Sequence, residues 1–95
     1  MAVKVIIKRR IPESKNSELV PYLKQLRVLA MSMAGYITGE TLRRIDDPGE
    51  TLVISTWQSI DDWREWILNN DRITIQDKID KLIGEKTQYD IYYYA

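Results

Sequence analysis

Trp63 and Trp66 stand three residues apart, so a helix carrying them shows both indoles on one face. Such a face is either core packing or the wall of a pocket for a flat ligand. Asp62, one turn before Trp66, becomes a candidate base if burial raises its pKa; it is also a natural first-turn carboxylate for a helix opened by Ser59. Tyr36 can donate a hydrogen bond to a phenolate, and the Asn69-Asn70 pair offers an amide to a cavity as readily as it ends one helix and starts the next. Gln76 falls on an otherwise apolar helical stripe, where its amide must be satisfied, and this makes it a pocket candidate. Arg9, Arg10, Arg43 and Arg44 close two strands. They suit an anion or phenolate clamp at a pocket mouth, or ordinary surface pairing with Asp46, Asp47 and Glu50.

The missing residue types narrow the chemistry further. The 95 residues contain no His and no Cys, which excludes a Ser-His-Asp triad, imidazole base catalysis, a His-ligated haem, a thiolate nucleophile and a Cys-rich zinc site. No metal or cofactor is expected. Fourteen Lys and Arg balance fourteen Asp and Glu, so no global field recruits nucleic acid or an anionic membrane. The opening MAVKVIIKRRIPE lacks the order of a signal peptide, and no apolar run approaches the length of a membrane span. The sequence predicts a cytoplasmic protein whose residues 1–95 form one domain.

The elements that must position these side chains follow from periodicity. Residues 2–10 alternate Val3, Val5 and Ile7 with Lys4, Lys8 and Arg10, a strand with one drier face. After the IPESKN turn, Ser17 is expected to cap a helix of about sixteen residues, with Leu19, Tyr22, Leu23, Leu26, Leu29, Ala30 and Met33 on its apolar stripe and Gly35 as its stop. Residues 36–44 and 51–58 read as a hairpin across Asp46-Asp47-Pro48-Gly49, with Gly39 marking a bulge or a close backbone approach. A helix opening at Ser59 carries Ile60, Trp63, Trp66 and Ile67, and Trp57 is expected to staple onto Trp63. A further helix carries Ile73, Gln76, Ile79, Leu82 and Ile83 and stops at Gly84 before the β-forming TQYDIYYYA.

The order is βαββαβ, which predicts an α+β, ferredoxin-like fold: a four-stranded antiparallel sheet with helices on one face. The other face then carries apolar and aromatic residues, with Tyr92 and Tyr94 opposite Tyr89, Ile91 and Tyr93. A second copy stacked sheet against sheet covers it most simply, so a homodimer is expected.

The stretch from Gly35 to Ile73, through Gly-Tyr-Ile-Thr-Gly-Glu at 35–40, Trp57-Gln58-Ser59, Trp66 and Asn69-Asn70, resembles the antibiotic biosynthesis monooxygenase family of dimeric α+β barrels. That resemblance implies either of two oxygenase chemistries, and many carriers of the domain have no established reaction. The haem-degrading branch looks like a Trp on the second helix, a His ten residues later and an Asn on the first strand. Trp66 matches, but Gln76 stands in the His position and Lys8-Arg9-Arg10 replaces the Asn, so the axial iron ligand is lost and haem is rejected. The other branch converts phenolic substrates to quinones without a cofactor, using a dry pocket, aromatic walls and a partner for the phenolate. The resemblance places the pocket Trp at Trp66 and an amide at the position of Asp62.

The expected site is therefore Trp66 and Asp62 as catalytic residues, with Arg9, Tyr36, Asn70 and Gln76 around a small aromatic substrate. The expected activity is a cofactor-independent monooxygenase. A non-catalytic dimeric module that binds a small apolar ligand is the other reading, favoured by the missing His and by Asp62 in place of the amide.

Overall fold

A computed structural model describes residues 1–95. Strands β1 (Val3–Arg10), β2 (Tyr36–Arg43), β3 (Glu50–Trp57) and β4 (Asp90–Tyr93) form one sheet in the order β2-β3-β1-β4, with every neighbouring pair antiparallel. Helix α1 (Asn16–Met31) links β1 to β2, while α2 (Ile60–Leu68) and α3 (Asn70–Ile83) link β3 to β4. This is the ferredoxin-like arrangement expected for βαββαβ. No helix is long and apolar enough to cross a membrane.

Register follows from which residues need burial. Val3 pairs with Trp57, Val5 with Ser55, Ile7 with Val53 and Arg9 with Thr51, and these rows face the helices. The intervening rows, Lys4 with Thr56, Ile6 with Ile54, Lys8 with Leu52 and Arg10 with Glu50, face away. The core is a cluster of Val3, Val5, Trp57, Trp63 and Trp66, with Leu26, Leu29, Ala30 and Tyr36 packed against it. The period-2 reading of β1 is thus the physical layout of the sheet.

Several local features differ from expectation. Helix α1 begins at Asn16 without a side-chain cap, so Ser17 lies inside its first turn rather than capping it. It ends at Met31, and Gly35 (φ 85°) makes the turn into β2 instead of stopping the helix. In α3 the buried stripe is Arg72, Gln76 and Ile79, while Ile73 is exposed. Arg72 takes the inner place because its guanidinium caps the end of α2, donating from Nε (3.2 Å) and Nη2 (2.9 Å) to the Ile67 carbonyl. Trp57 does not staple onto Trp63; it stacks on Trp66, with centroids 6.0 Å apart and planes at 26°. Trp63 instead meets Tyr89 edge-on at 5.6 Å.

β2 enters the sheet through a bulge: Tyr36 pairs with Trp57 but Thr38 pairs with Thr56, leaving Ile37 as the extra residue. Both helix starts near the site are capped as the sequence implies. Asp62 N–H donates to Ser59 Oγ (3.1 Å) at α2, and Arg72 N–H donates to Asn69 Oδ1 (2.9 Å) at α3.

Gly35 and Gly84 both have φ near +80°, yet they differ in surroundings. A Cβ on Gly35 overlaps the Asp62 side chain, whereas a Cβ on Gly84 meets nothing. Gly84→Ala should therefore lose about 1–2 kcal/mol, the left-handed backbone term alone. Gly35→Ala should lose about 2–4 kcal/mol, because overpacking adds to that strain. Urea unfolding of the two variants checks the order, and equal losses would show that Asp62 gives way freely.

Candidate active site

Between α1 and the helix-facing side of β1, β2 and β3 lies a cavity of about 300 Å³. Its floor follows the strand rows. Tyr36 and Trp57 lie at one end, Ser55 and Gly39 come next, then Ile7, Val53 and Thr41, and finally Arg9, Thr51 and Arg43. Leu23, Leu26 and Ala30 of α1 form the roof, and Trp66 of α2 closes the aromatic end. The hollow is thus apolar and aromatic through most of its length and cationic at the strand ends, with Lys24 and Arg27 also on the α1 side.

The aromatic end is fixed by three rings. Trp66 is buried against Trp57, and Trp57 meets Tyr36 edge-on at 5.4 Å and 88°. Trp57 Nε1 donates to Ser55 Oγ (3.1 Å), which satisfies the indole inside the site. Tyr36 lies over Gly39, where any Cβ would collide with its hydroxyl. Gly39 is thus a close-approach position, while the bulge sits two residues earlier at Ile37.

At the other end Arg9 is only 6% exposed and has no ion pair. Its Nη2 donates to Gln76 Oε1 at 3.4 Å, and its Nε has no partner at all. Burial pushes its pKa down, partly opposed by Tyr89 and by the Asp80 carboxylate. Neighbours in sequence behave as the surface reading expects: Arg10 pairs with Asp47, and Arg44 with Asp46 and Glu50. Arg9 is the exception, because the alternation of β1 turns it inward.

Gln76 backs Arg9 with a fully used amide. Its Oε1 also accepts from the Tyr89 hydroxyl (3.5 Å), and its Nε2 donates to Asp80 Oδ1 (2.9 Å) and Thr87 Oγ1 (2.7 Å). Arg72 Nη1 donates to the Tyr89 hydroxyl (3.0 Å), and its guanidinium sits 6.0 Å from the centre of the Trp66 ring. A polar chain therefore runs behind the cavity from the end of α2 to Arg9.

Of the six residues expected at the site, the structure brings Trp66, Arg9 and Tyr36 to the cavity wall. Gln76 stands one layer behind, positioning Arg9. Asp62 does not line the cavity: its carboxylate accepts from the Ser59 hydroxyl (2.9 Å) and fills the space beside Gly35, a capping arrangement. Asn70 does not reach it either, because its side chain is exposed in the first turn of α3 and Asn69 supplies the cap. Trp57 and Arg43 join the wall; the sequence alone suits Trp57 to a staple and Arg43 either to surface pairing or to a clamp at a pocket mouth. Their signal was the alternation Thr51, Val53, Ser55, Trp57 and its register with β2. No cluster of three Asp or Glu side chains is placed to hold a metal ion.

A family model described as antibiotic biosynthesis monooxygenase matches residues 2–71, so the chain belongs to that family. Among curated proteins, none matches it in sequence. Solved structures of the same fold include a conserved protein from Methanosarcina mazei Go1, at TM-score 0.91 and 17% identity over 100% of this chain and 94% of that one. A protein from Mycobacterium tuberculosis gives TM-score 0.87 at 14% identity, covering 100% and 96%. SnoaB, a cofactor-independent oxygenase from Streptomyces nogalater, gives TM-score 0.81 at 12% identity, covering 99% and 93%.

The buried Tyr89 yields a pH prediction. Burial raises its pKa above the ordinary 10.0, with Arg72 pulling the other way. The unfolded chain then loses this proton first as pH rises, so stability present below pH 10.0 declines above it. Tyr89→Phe should flatten that alkaline decline in urea-unfolding stability measured from pH 8 to about 11. An identical slope in variant and wild type would remove Tyr89 as its source.

Proposed function

We propose that the protein is a cofactor-independent monooxygenase acting on a small electron-rich aromatic, of the phenol or anthrone type, bound between α1 and the sheet. The observation that carries this reading is the cavity itself: about 300 Å³, walled at one end by Tyr36, Trp57 and Trp66 and edged with cations at the other. Membership of the monooxygenase family and the shared fold with a cofactor-independent oxygenase support it.

The chemistry asks little of the chain. An anthrone that has lost a ring proton is an electron-rich carbanion that can pass an electron to dioxygen. Carbon–oxygen bond formation and loss of water then convert its CH2 to a carbonyl, with one oxygen atom in the product and the other in the water. The protein's part is to exclude water, hold the ring flat against Trp66 and Trp57, and stabilise the phenolate with the Tyr36 hydroxyl. One observation favours the alternative of a ligand-binding module without chemistry. The only carboxylate residue on the cavity is Glu40, whose register places it on the opposite face of the sheet, so no acidic base faces the ligand.

The test is oxygen uptake with dihydroxyanthrone and no added cofactor. Wild type should exceed the buffer rate at least tenfold, and Trp66→Phe, which keeps most of the packing, should lose most of that excess. A rate equal to buffer for wild type across such substrates would leave the binding-module reading.

The reading includes a second copy against the far face of the sheet. Ile6, Leu52 and Ile54 are half-buried there, and Tyr92 and Tyr94 remain 55% and 59% exposed. Light scattering should give twice the chain mass of 11.2 kDa, and Tyr92→Asp should shift it towards the monomer. A monomer at micromolar wild-type protein would overturn this part.

A further inference from the structure

We propose that the aromatic ligand carries a carboxylate, and that Arg9 and Arg43 receive it at the strand-end of the cavity; this inference rests on reading the cavity as the ligand site. Buried cations are ordinarily paired, because an isolated charge out of water is strongly disfavoured. Arg9 breaks that rule within the cavity wall. Of the five N–H donors of its guanidinium, one is engaged, by a neutral amide at 3.4 Å, and Nε is sealed from solvent without an acceptor. The side chain is held in place by a Gln76 amide whose own groups are all used, so the unmet demand stays on Arg9.

Arg43 supplies the second half of the subsite. Thr51 pairs with Arg9 on one side and with Arg43 on the other, so the two arginines flank it on a single row of the helix-facing surface. Acidic residues are close in sequence, yet Asp46, Asp47 and Glu50 all pair with Arg10, Arg44 and Lys8 and none with Arg9 or Arg43. Asp80, the carboxylate that acts on Arg9 from behind Gln76, accepts from Gln76 and Thr87 and makes no ion pair with Arg9, so a direct anionic partner is one the chain does not supply. A carboxylate matches an arginine in charge and in planar, two-point geometry.

The opposite end is aromatic, six residues along β3 at Trp57. That places the Cα atoms of the two ends about 20 Å apart, an upper limit on ligand length. An uncharged phenol fills the aromatic end and leaves Arg9 unanswered. An aromatic acid answers both ends at once.

The experiment compares dihydroxyanthrone with the same molecule bearing a carboxylic acid on an outer ring. Binding is read by quenching of tryptophan fluorescence under nitrogen, and turnover separately by oxygen uptake. The acid should bind wild type at least tenfold more tightly, with a preference that shrinks as salt is raised. Arg43→Gln, at an exposed position, should cut the preference several-fold, and Arg9→Gln should bring it near unity. If Arg9→Gln does not fold, the wild-type ratio and Arg43→Gln decide the matter. Equal affinities in wild type, failure of either compound to bind, or a ratio that survives Arg43→Gln overturns the carboxylate subsite. Preferential binding without oxygen uptake leaves the subsite standing and removes the oxygenase; uptake with no preference does the reverse.

Discussion

The stack of Trp57 on Trp66 is the contact on which the site depends. Trp57 belongs to β3 and Trp66 to α2, so the stack ties the sheet to the helical layer at one end. Two indoles are large enough to hold the layers apart, and the smaller side chains beyond them, Ser55, Gly39 and Thr41, do not fill the space that results. A core of uniform aliphatic residues would close at native packing density. Here an aromatic strut beside small residues leaves a hollow of about 300 Å³ under α1.

The far end of that hollow is held by polar contacts instead. The chain from Arg72 through Tyr89 and Gln76 to Arg9 links α3 and the approach to β4 with β1. Every member except Arg9 is satisfied, and satisfied buried networks define geometry well, whereas partly satisfied ones sit at a disadvantage of about 1–3 kcal/mol per unmet group. A deficit placed on a cavity wall is the kind that a ligand can remove. The same residue would be hard to account for in a solid core.

The element order, the hairpin and the inner face of β1 were legible from period-2 and helical spacing, because those patterns record which side of an element is dry. Trp66 was legible as a wall residue through the family resemblance, and Arg9 as a strand-end cation suited either to a clamp at a pocket mouth or to surface pairing. The burial of Arg9 and the inner position of Arg72 were not, because both break the rule that charged side chains face water: strand alternation turns Arg9 inward onto Gln76, and Arg72 turns inward to cap the Ile67 carbonyl, with Tyr89 as a further partner. Asp62 was ambiguous between cap and base; the structure shows it in the cap, bonded to Ser59 through its carboxylate and its N–H beside Gly35. Asn70 and Asn69 were equivalent on paper; the cap falls to Asn69 by one position.

One extra residue makes the wall possible. Tyr36 and Arg43 are seven apart, so in an unbroken strand they would point to opposite faces. The bulge at Ile37 resets the alternation, after which Gly39, Thr41 and Arg43 share a face with Tyr36. The exposed Ile37 absorbs the mismatch. On β1 no bulge intervenes, and Arg9 reaches the inner face by simple alternation from Val3. The ring end and the cation end of the cavity thus coexist on β2 only because its pairing with β3 slips once, between Tyr36 and Thr38, and deletion of that single residue would turn Tyr36 away from the face that carries Arg43.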